Sequence, residues 1–127
     1  MPAKATEEWQ TEDFDKLNWH DSKIESIRLI TSRLEFVLEM QYVTDWKKPL
    51  ANEKRFRVSI APALLMFRDT YNLRIDITTS STLSIDRVSR KGVRQNPRTK
   101  NYEWDWLIEC QEGEIGLVSS GFTLRLK

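Results

Sequence analysis

Leu34, Phe36, Leu38, Met40 and Tyr42 stand at every second position of one stretch, with Glu35, Glu39 and Gln41 at most of the positions between them. A repeat of two is the period of a strand with one face in a core and one in water. On a helix the same five side chains would scatter around the whole circumference and bury little. The pattern recurs where Tyr102, Trp104, Trp106, Ile108 and Cys110 alternate with Glu103, Asp105, Leu107 and Glu109. Shorter runs repeat it: Ile27 and Leu29, then Phe56, Val58 and Ile60, then Leu73, Ile75 and Ile77. Leu83 and Ile85, Ile115 and Leu117, and Phe122, Leu124 and Leu126 complete the series.

The chain is therefore expected to be all-β and mainly antiparallel. We expect a single-domain twisted sheet or flattened barrel of about eight strands, built from consecutive hairpins with at most short helical turns. The expected core is Ile27, Leu29, Leu34, Phe36, Leu38, Phe56, Val58, Ile75, Trp104, Trp106, Ile108, Leu117 and Leu124. Thr31–Ser32–Arg33 makes the first hairpin turn, and loops are expected over 44–53 and 61–72. Pro62 is expected to end or bend its strand. Ala63–Phe67 reads equally as a buried helical turn or an extended run. Residues 1–8 form a loosely held N-terminal arm, and Thr11 heads a short helical turn. Residues 87–100 read as an exposed, mobile loop containing Gly92 and Pro97.

With 127 residues, the chain could bury roughly two-thirds of the surface exposed when unfolded, enough for one modest core. Leu, Ile, Val and Phe number 33, above the level at which chains stay disordered. No apolar run approaches the ~18 residues of a membrane span, and the first residues lack the apolar stretch of a signal peptide. No membrane association and a cytoplasmic location are the expectation. Cys110 and His20 are each the only residue of their type. That excludes an internal disulfide and the usual zinc ligand sets. No cofactor or metal is expected.

Three segments carry a resemblance: Trp19-His20-Asp21-Ser22-Lys23-Ile24-Glu25-Ser26-Ile27 opening the first hairpin, Ala61-Pro62 through Asp69 leading into Leu73-Arg74-Ile75-Asp76, and the closing Gly121-Phe122-Thr123-Leu124. Together these resemble a loose group of small bacterial all-β proteins without established activity, some similar to immunity proteins of toxin systems. The resemblance spans residues 18–127 and implies a binding or neutralising role with no catalytic residues to carry over.

The net charge is only +1, but it is strongly segregated. Residues 87–100 carry six cations (Arg87, Arg90, Lys91, Arg94, Arg98 and Lys100) and no acid, and residues 101–115 carry five acids and no cation. The expected site is an interaction surface made of Arg90, Lys91, Arg94, Arg98, Lys100 and Trp46, which takes a protein partner; a homodimer is also compatible. Two further readings compete. The basic loop, with the Tyr102/Trp104/Trp106 stripe, could bind nucleic acid, although no aromatic residue lies between Arg87 and Lys100. A hydrolase could be assembled from His20, Asp21 and Cys110, although a buried, structural Cys110 and a turn-forming His20–Asp21 account for these residues more simply. Glu103, Asp105, Glu109, Glu112 and Glu114 could hold a cation, but pairing with Arg or Lys of the neighbouring strand is the expected arrangement. No catalytic residue is assigned, and the chain is expected to be non-enzymatic.

Overall fold

The computed structural model describes residues 7–47, 57–79 and 81–127, and at 45–47 and 57–58 only the backbone. Nine strands form one unclosed antiparallel sheet: β1 (Glu8–Gln10), β2 (Lys23–Ile30), β3 (Glu35–Lys47), β4 (Arg57–Arg68), β5 (Tyr71–Ile77), β6 (Leu83–Gln95), β7 (Tyr102–Cys110), β8 (Gly113–Ser119) and β9 (Gly121–Leu126). The order across the sheet is β1-β9-β4-β3-β2-β6-β7-β8-β5. The expected all-β single domain of consecutive hairpins is the observed one, with nine strands and no barrel closure. Among the described residues the one helical element is a 3₁₀ helix, Thr11–Lys16, whose N-cap is Gln10 rather than Thr11.

The sheet folds over on itself, so that its two halves share one core. Phe36, Leu38 and Met40 of β3, Leu65 and Phe67 of β4, and Phe122 and Leu124 of β9 belong to one buried cluster with Ile85 of β6, Trp106 and Ile108 of β7, and Ile115 and Leu117 of β8. Two corners make this possible. The first is a two-pair ladder, Lys23↔Ser84 and Ile24↔Leu83, between β2 and β6. The second is a bent ribbon. The β4–β9 ladder ends at Arg68↔Gly121 and the β5–β8 ladder begins at Tyr71↔Val118, three residues further along each strand. One continuous two-stranded ribbon thus crosses from one half to the other, bending at Asp69–Thr70 and Ser119–Ser120. Strands that switch sheets through such bends are the usual corners of crossed sheet packing.

Hydrogen bonds hold the bend. Ser120 N–H donates to Arg68 O (3.2 Å), Gly121 N–H to Ser119 Oγ (3.1 Å) and Thr70 N–H to Leu34 O (2.8 Å). The Trp106 indole N–H donates to Ser119 O (3.1 Å) and ties the bend to the core.

Several expectations need correction. The loop expected at 87–100 is mostly strand: β6 continues to Gln95, and only residues 96–101 turn. The loop expected over 44–53 begins later, because β3 runs to Lys47; residues 48–56, including Phe56, lie outside the described residues. The loop expected over 61–72 is also largely strand, since β4 passes straight through Pro62 to Arg68. Pro62 O accepts from Lys127 N–H (2.9 Å), so its nitrogen faces the same side, just where β9 ends. The missing N–H therefore falls at the end of the β4–β9 ladder and costs no bond to β3.

Leu29, Leu34 and Ile75 are about half exposed rather than core. Leu34 sits in the turn with φ 52, and Ile75 lies on the last strand, with no neighbour beyond it among the described residues. Ile27 and Trp104 pack against the core from partly buried positions; the side chain of Val58 is not described. Of the expected arm, Glu8 opens β1 opposite Arg125, and Glu7 O accepts from Leu126 N–H (3.0 Å).

Candidate interaction surface

The sheet half β6-β7-β8-β5 presents one face to the core and one to solvent. Across its outer face run two rows set by register, Arg87↔Glu109↔Glu114↔Asp76 and Lys91↔Asp105↔Val118↔Tyr71. The charge contrast of the sequence is thus brought side by side. Part of it is neutralised in place. Arg87 Nε donates to Glu109 Oε2 (2.7 Å), which holds the guanidinium above its ordinary pKa. Arg94 reaches Asp105 Oδ2 and Glu103 Oε1, both at 3.2 Å. The expected cross-strand pairing holds for Glu103, Asp105 and Glu109; Glu112 instead accepts from Ser84 N–H (2.8 Å), and Glu114 stands between Glu109 and Asp76. Among the described residues no cluster of His, Cys, Asp and Glu could hold a metal ion.

Alternation puts Glu103 on the wet face, yet it is buried. It lies under Tyr71, Arg94 and Asn96: the Tyr71 hydroxyl and Asn96 Nδ2 both donate to its carboxylate. The hydrogen bond to Glu103 is the main reason the Tyr71 phenol titrates above its ordinary value near 10, with burial adding to it. A raised folded pKa favours the protonated phenol, so this contribution to stability is whole below about pH 10 and is lost as pH rises past the raised value. Glu103→Gln is expected to bring the Tyr71 titration, followed by phenolate absorbance in wild type and Tyr71→Phe, back towards the ordinary value. A phenol unmoved by that substitution would contradict the assignment.

Arg90 has a different fate. It faces inward, and its guanidinium lies 4.8 Å from the Phe14 ring centroid, 4.9 Å from Trp104 and 5.5 Å from Trp106. Three rings share one cation at the rim of the core, an arrangement of stacked and cation–π contacts that suits arginine. The aromatic stripe is therefore divided: Trp106 is core, Trp104 half-buried, and Tyr102 61% exposed.

Lys91, Arg98 and Lys100 are exposed, and among the described residues none has an ion-pair partner. They stand at the outer end of the β6–β7 ribbon. Gly92 (φ 67) marks the register shift between Lys91 and Arg94, a bulge that adds twist. The turn beyond is stitched together: Asn96 N–H donates to Asn101 O, Lys100 N–H to Asn96 O, and Asn96 Oδ1 accepts from Arg98 N–H, each at 2.8 Å. Val93 (57% exposed) and Tyr102 share this end. Trp46 is on β3 opposite Val58, far along the other half of the sheet order, and its side chain is not described.

The Trp19–Ser22 motif is a seam. Asp21 (φ 65) donates its N–H to Ile85 O, and Ile85 N–H returns a bond to Ser22 O, both at 2.8 Å. The buried Ser22 Oγ accepts from Val43 N–H (3.1 Å). The motif thereby fastens β2 and β3 to β6, with Trp19 buried against Tyr42 and Phe122. His20 Nδ1 lies 3.5 Å from Asp21 Oδ1. Cys110 lines a different cavity from His20. Burial, then the Glu112 and Asp86 carboxylates, push its thiol up to about 11, the opposite of what an attacking thiolate needs.

No helix among the described residues is long and apolar enough to cross a membrane. No family model, no curated protein and no solved structure matched this chain.

Proposed function

We propose that this chain is a non-enzymatic binding protein that docks an acidic protein partner on the outer end of the β6–β7 ribbon. One observation carries the reading: two exposed apolar side chains, Val93 and Tyr102, share that end with Lys91, Arg98 and Lys100, exposed cations that have no ion-pair partner among the described residues. An apolar centre with a charged rim is the usual composition of a protein interface, and the cations would steer an acidic partner. The resemblance to small bacterial all-β proteins, some similar to immunity proteins, favours a neutralising role for the complex.

Nucleic acid is the second reading, favoured by the exposed ring of Tyr102 beside three cations. It is weaker because polyanion affinity scales with the cations free to displace counterions. Of the six cations at 87–100, Arg87, Arg90 and Arg94 are already engaged, and Glu103, Asp105 and Glu109 lie on the same ribbon.

The test compares wild type with Lys91→Ala/Arg98→Ala/Lys100→Ala and with Val93→Ser. All four positions are exposed, so both variants should melt like wild type. A partner protein retained from lysate by wild type and lost by both variants supports the reading, and retention unaffected by either removes it. Binding of single-stranded DNA or RNA that falls steeply with salt, and is weakened by the triple variant, would move the assignment to nucleic acid.

A further inference from the structure

β5 is the last strand of the sheet, and among the described residues nothing pairs with its outer edge. The direction of its backbone groups follows from one bond. Thr78 N–H donates to Glu112 O (3.0 Å), on the β8 side. Backbone groups alternate sides along a strand, so those of Arg74 and Asp76 also face β8, and those of Leu73, Ile75 and Ile77 face outward. The register shift between Tyr71 and Arg74, where Asn72 has φ 52, precedes this run and leaves Leu73–Ile77 regular.

The side chains are unserved in the same way. Arg74 faces Gly116 on β8, which offers no side chain to pair with it. Asp76 faces Glu114, a like-charge opposition. On the inner face Ile75 continues the buried row of Val88, Ile108 and Ile115, yet it is 48% exposed because the row stops there. An uncovered edge with an apolar inner row and no protective lysine or proline is a template for another strand.

The sequence of β5 specifies which strand fits. We infer that two copies of this chain associate edge to edge, antiparallel, about a two-fold axis at Ile75. In that register Ile75 meets the second copy's Ile75 as a hydrogen-bonded pair, and Leu73 meets Ile77 on either side. Arg74 stands directly opposite Asp76, twice, at the closer non-hydrogen-bonded positions. The cation that Asp76 lacks among the described residues, and the acid that Arg74 lacks among them, are thus each supplied by the other copy. Moving the axis to Arg74 would set Arg74 against itself. An interface in which one patch complements itself is the requirement of a two-fold dimer. This inference is independent of the acidic partner, since β5 and the outer end of β6–β7 share no residue.

Sedimentation equilibrium of the whole chain tests it. Wild type should dimerise at micromolar concentration, and Ile75→Lys should leave a folded monomer. Arg74→Asp and Asp76→Arg should each weaken the dimer at least about tenfold, because each turns two attractive pairs into two repulsive ones. The double variant Arg74→Asp/Asp76→Arg restores both pairs with signs exchanged and should recover the dimer. A wild type that stays monomeric at several hundred micromolar overturns the inference. So does a dimer indifferent to either single reversal, or one that the double variant fails to restore.

Discussion

Replacing Trp106 by alanine is expected to cost about 3–5 kcal/mol of folding stability, the range for emptying a large aromatic from a core. Trp106 is 2% exposed and touches four other rings: Phe67 at 5.3 Å, Phe14 at 5.4 Å, Phe122 at 5.6 Å and Trp104 at 5.9 Å between centroids. These partners come from β4, the 3₁₀ helix, β9 and β7, so the indole is where the two halves of the sheet meet. Its N–H also satisfies the Ser119 carbonyl in the bend, and its face carries part of the Arg90 guanidinium. Against a total stability of about 5–15 kcal/mol, the loss should be plain in urea denaturation. Lysine at the same site should abolish cooperative folding, because no buried acid is there to receive its charge. A Trp106→Ala protein that loses under about 1 kcal/mol would mean that the halves are held together elsewhere.

That Trp106 is core could be read from alternation alone, and so could Phe36, Leu38, Ile108, Leu117 and Leu124. Period 2 reports which face a side chain takes. It does not report whether another strand lies beyond, and for that reason it assigns Leu29 and Ile75 to the core although both are about half exposed. Each points along an apolar row, but burial needs neighbours on both sides, and strand order is a long-range property. Glu103 shows the converse. Its alternation is polar and outward, yet the bulge at Asn72 swings Tyr71 over it, and a covered, hydrogen-bonded carboxylate results.

The continuation of β6 beyond Asp86 is hidden from the sequence for a related reason. From Arg87 to Gln95 its outer positions are charged or polar, its inner positions include Arg90, and Gly92 interrupts the period. A cation on the inner face destroys the apolar pattern, although here three aromatic rings receive it. The rings are Phe14, Trp104 and Trp106, whose proximity to Arg90 no local spacing encodes. The charge contrast between 87–100 and 101–115, by comparison, is visible in the sequence as a net-charge profile, and cross-strand pairing of the acids is the expected arrangement. The structure splits that contrast into cations engaged internally and cations left at the ribbon's end.

The bend of the ribbon makes the second large prediction. Gly121 has φ +155, a region that L side chains rarely adopt, and a Cβ there would come within 2.1 Å of Thr11 Oγ1. Thr11 Oγ1 accepts the buried Phe122 N–H (2.9 Å), so the hydroxyl cannot turn away without orphaning that donor. Backbone strain of about 1–3 kcal/mol and an unsatisfied buried N–H of about 1–3 kcal/mol should add, and Gly121→Ala is expected to lose roughly 3 kcal/mol. Gly116→Ala is the control. The atom nearest its added Cβ is the tip of the Arg74 guanidinium at 3.0 Å, which can move aside, so the loss should stay under about 1 kcal/mol. Thr11→Ala removes the hydrogen bond without the strain, and combined with Gly121→Ala it should cost less than the two separately, since both act through the same hydroxyl. Full additivity in that cycle would show that Gly121 is required for its backbone conformation alone. The expected shortfall would show that the N-terminal turn and the bend are one packed unit, through which the chain's first described segment locks the crossing between the two halves of the sheet.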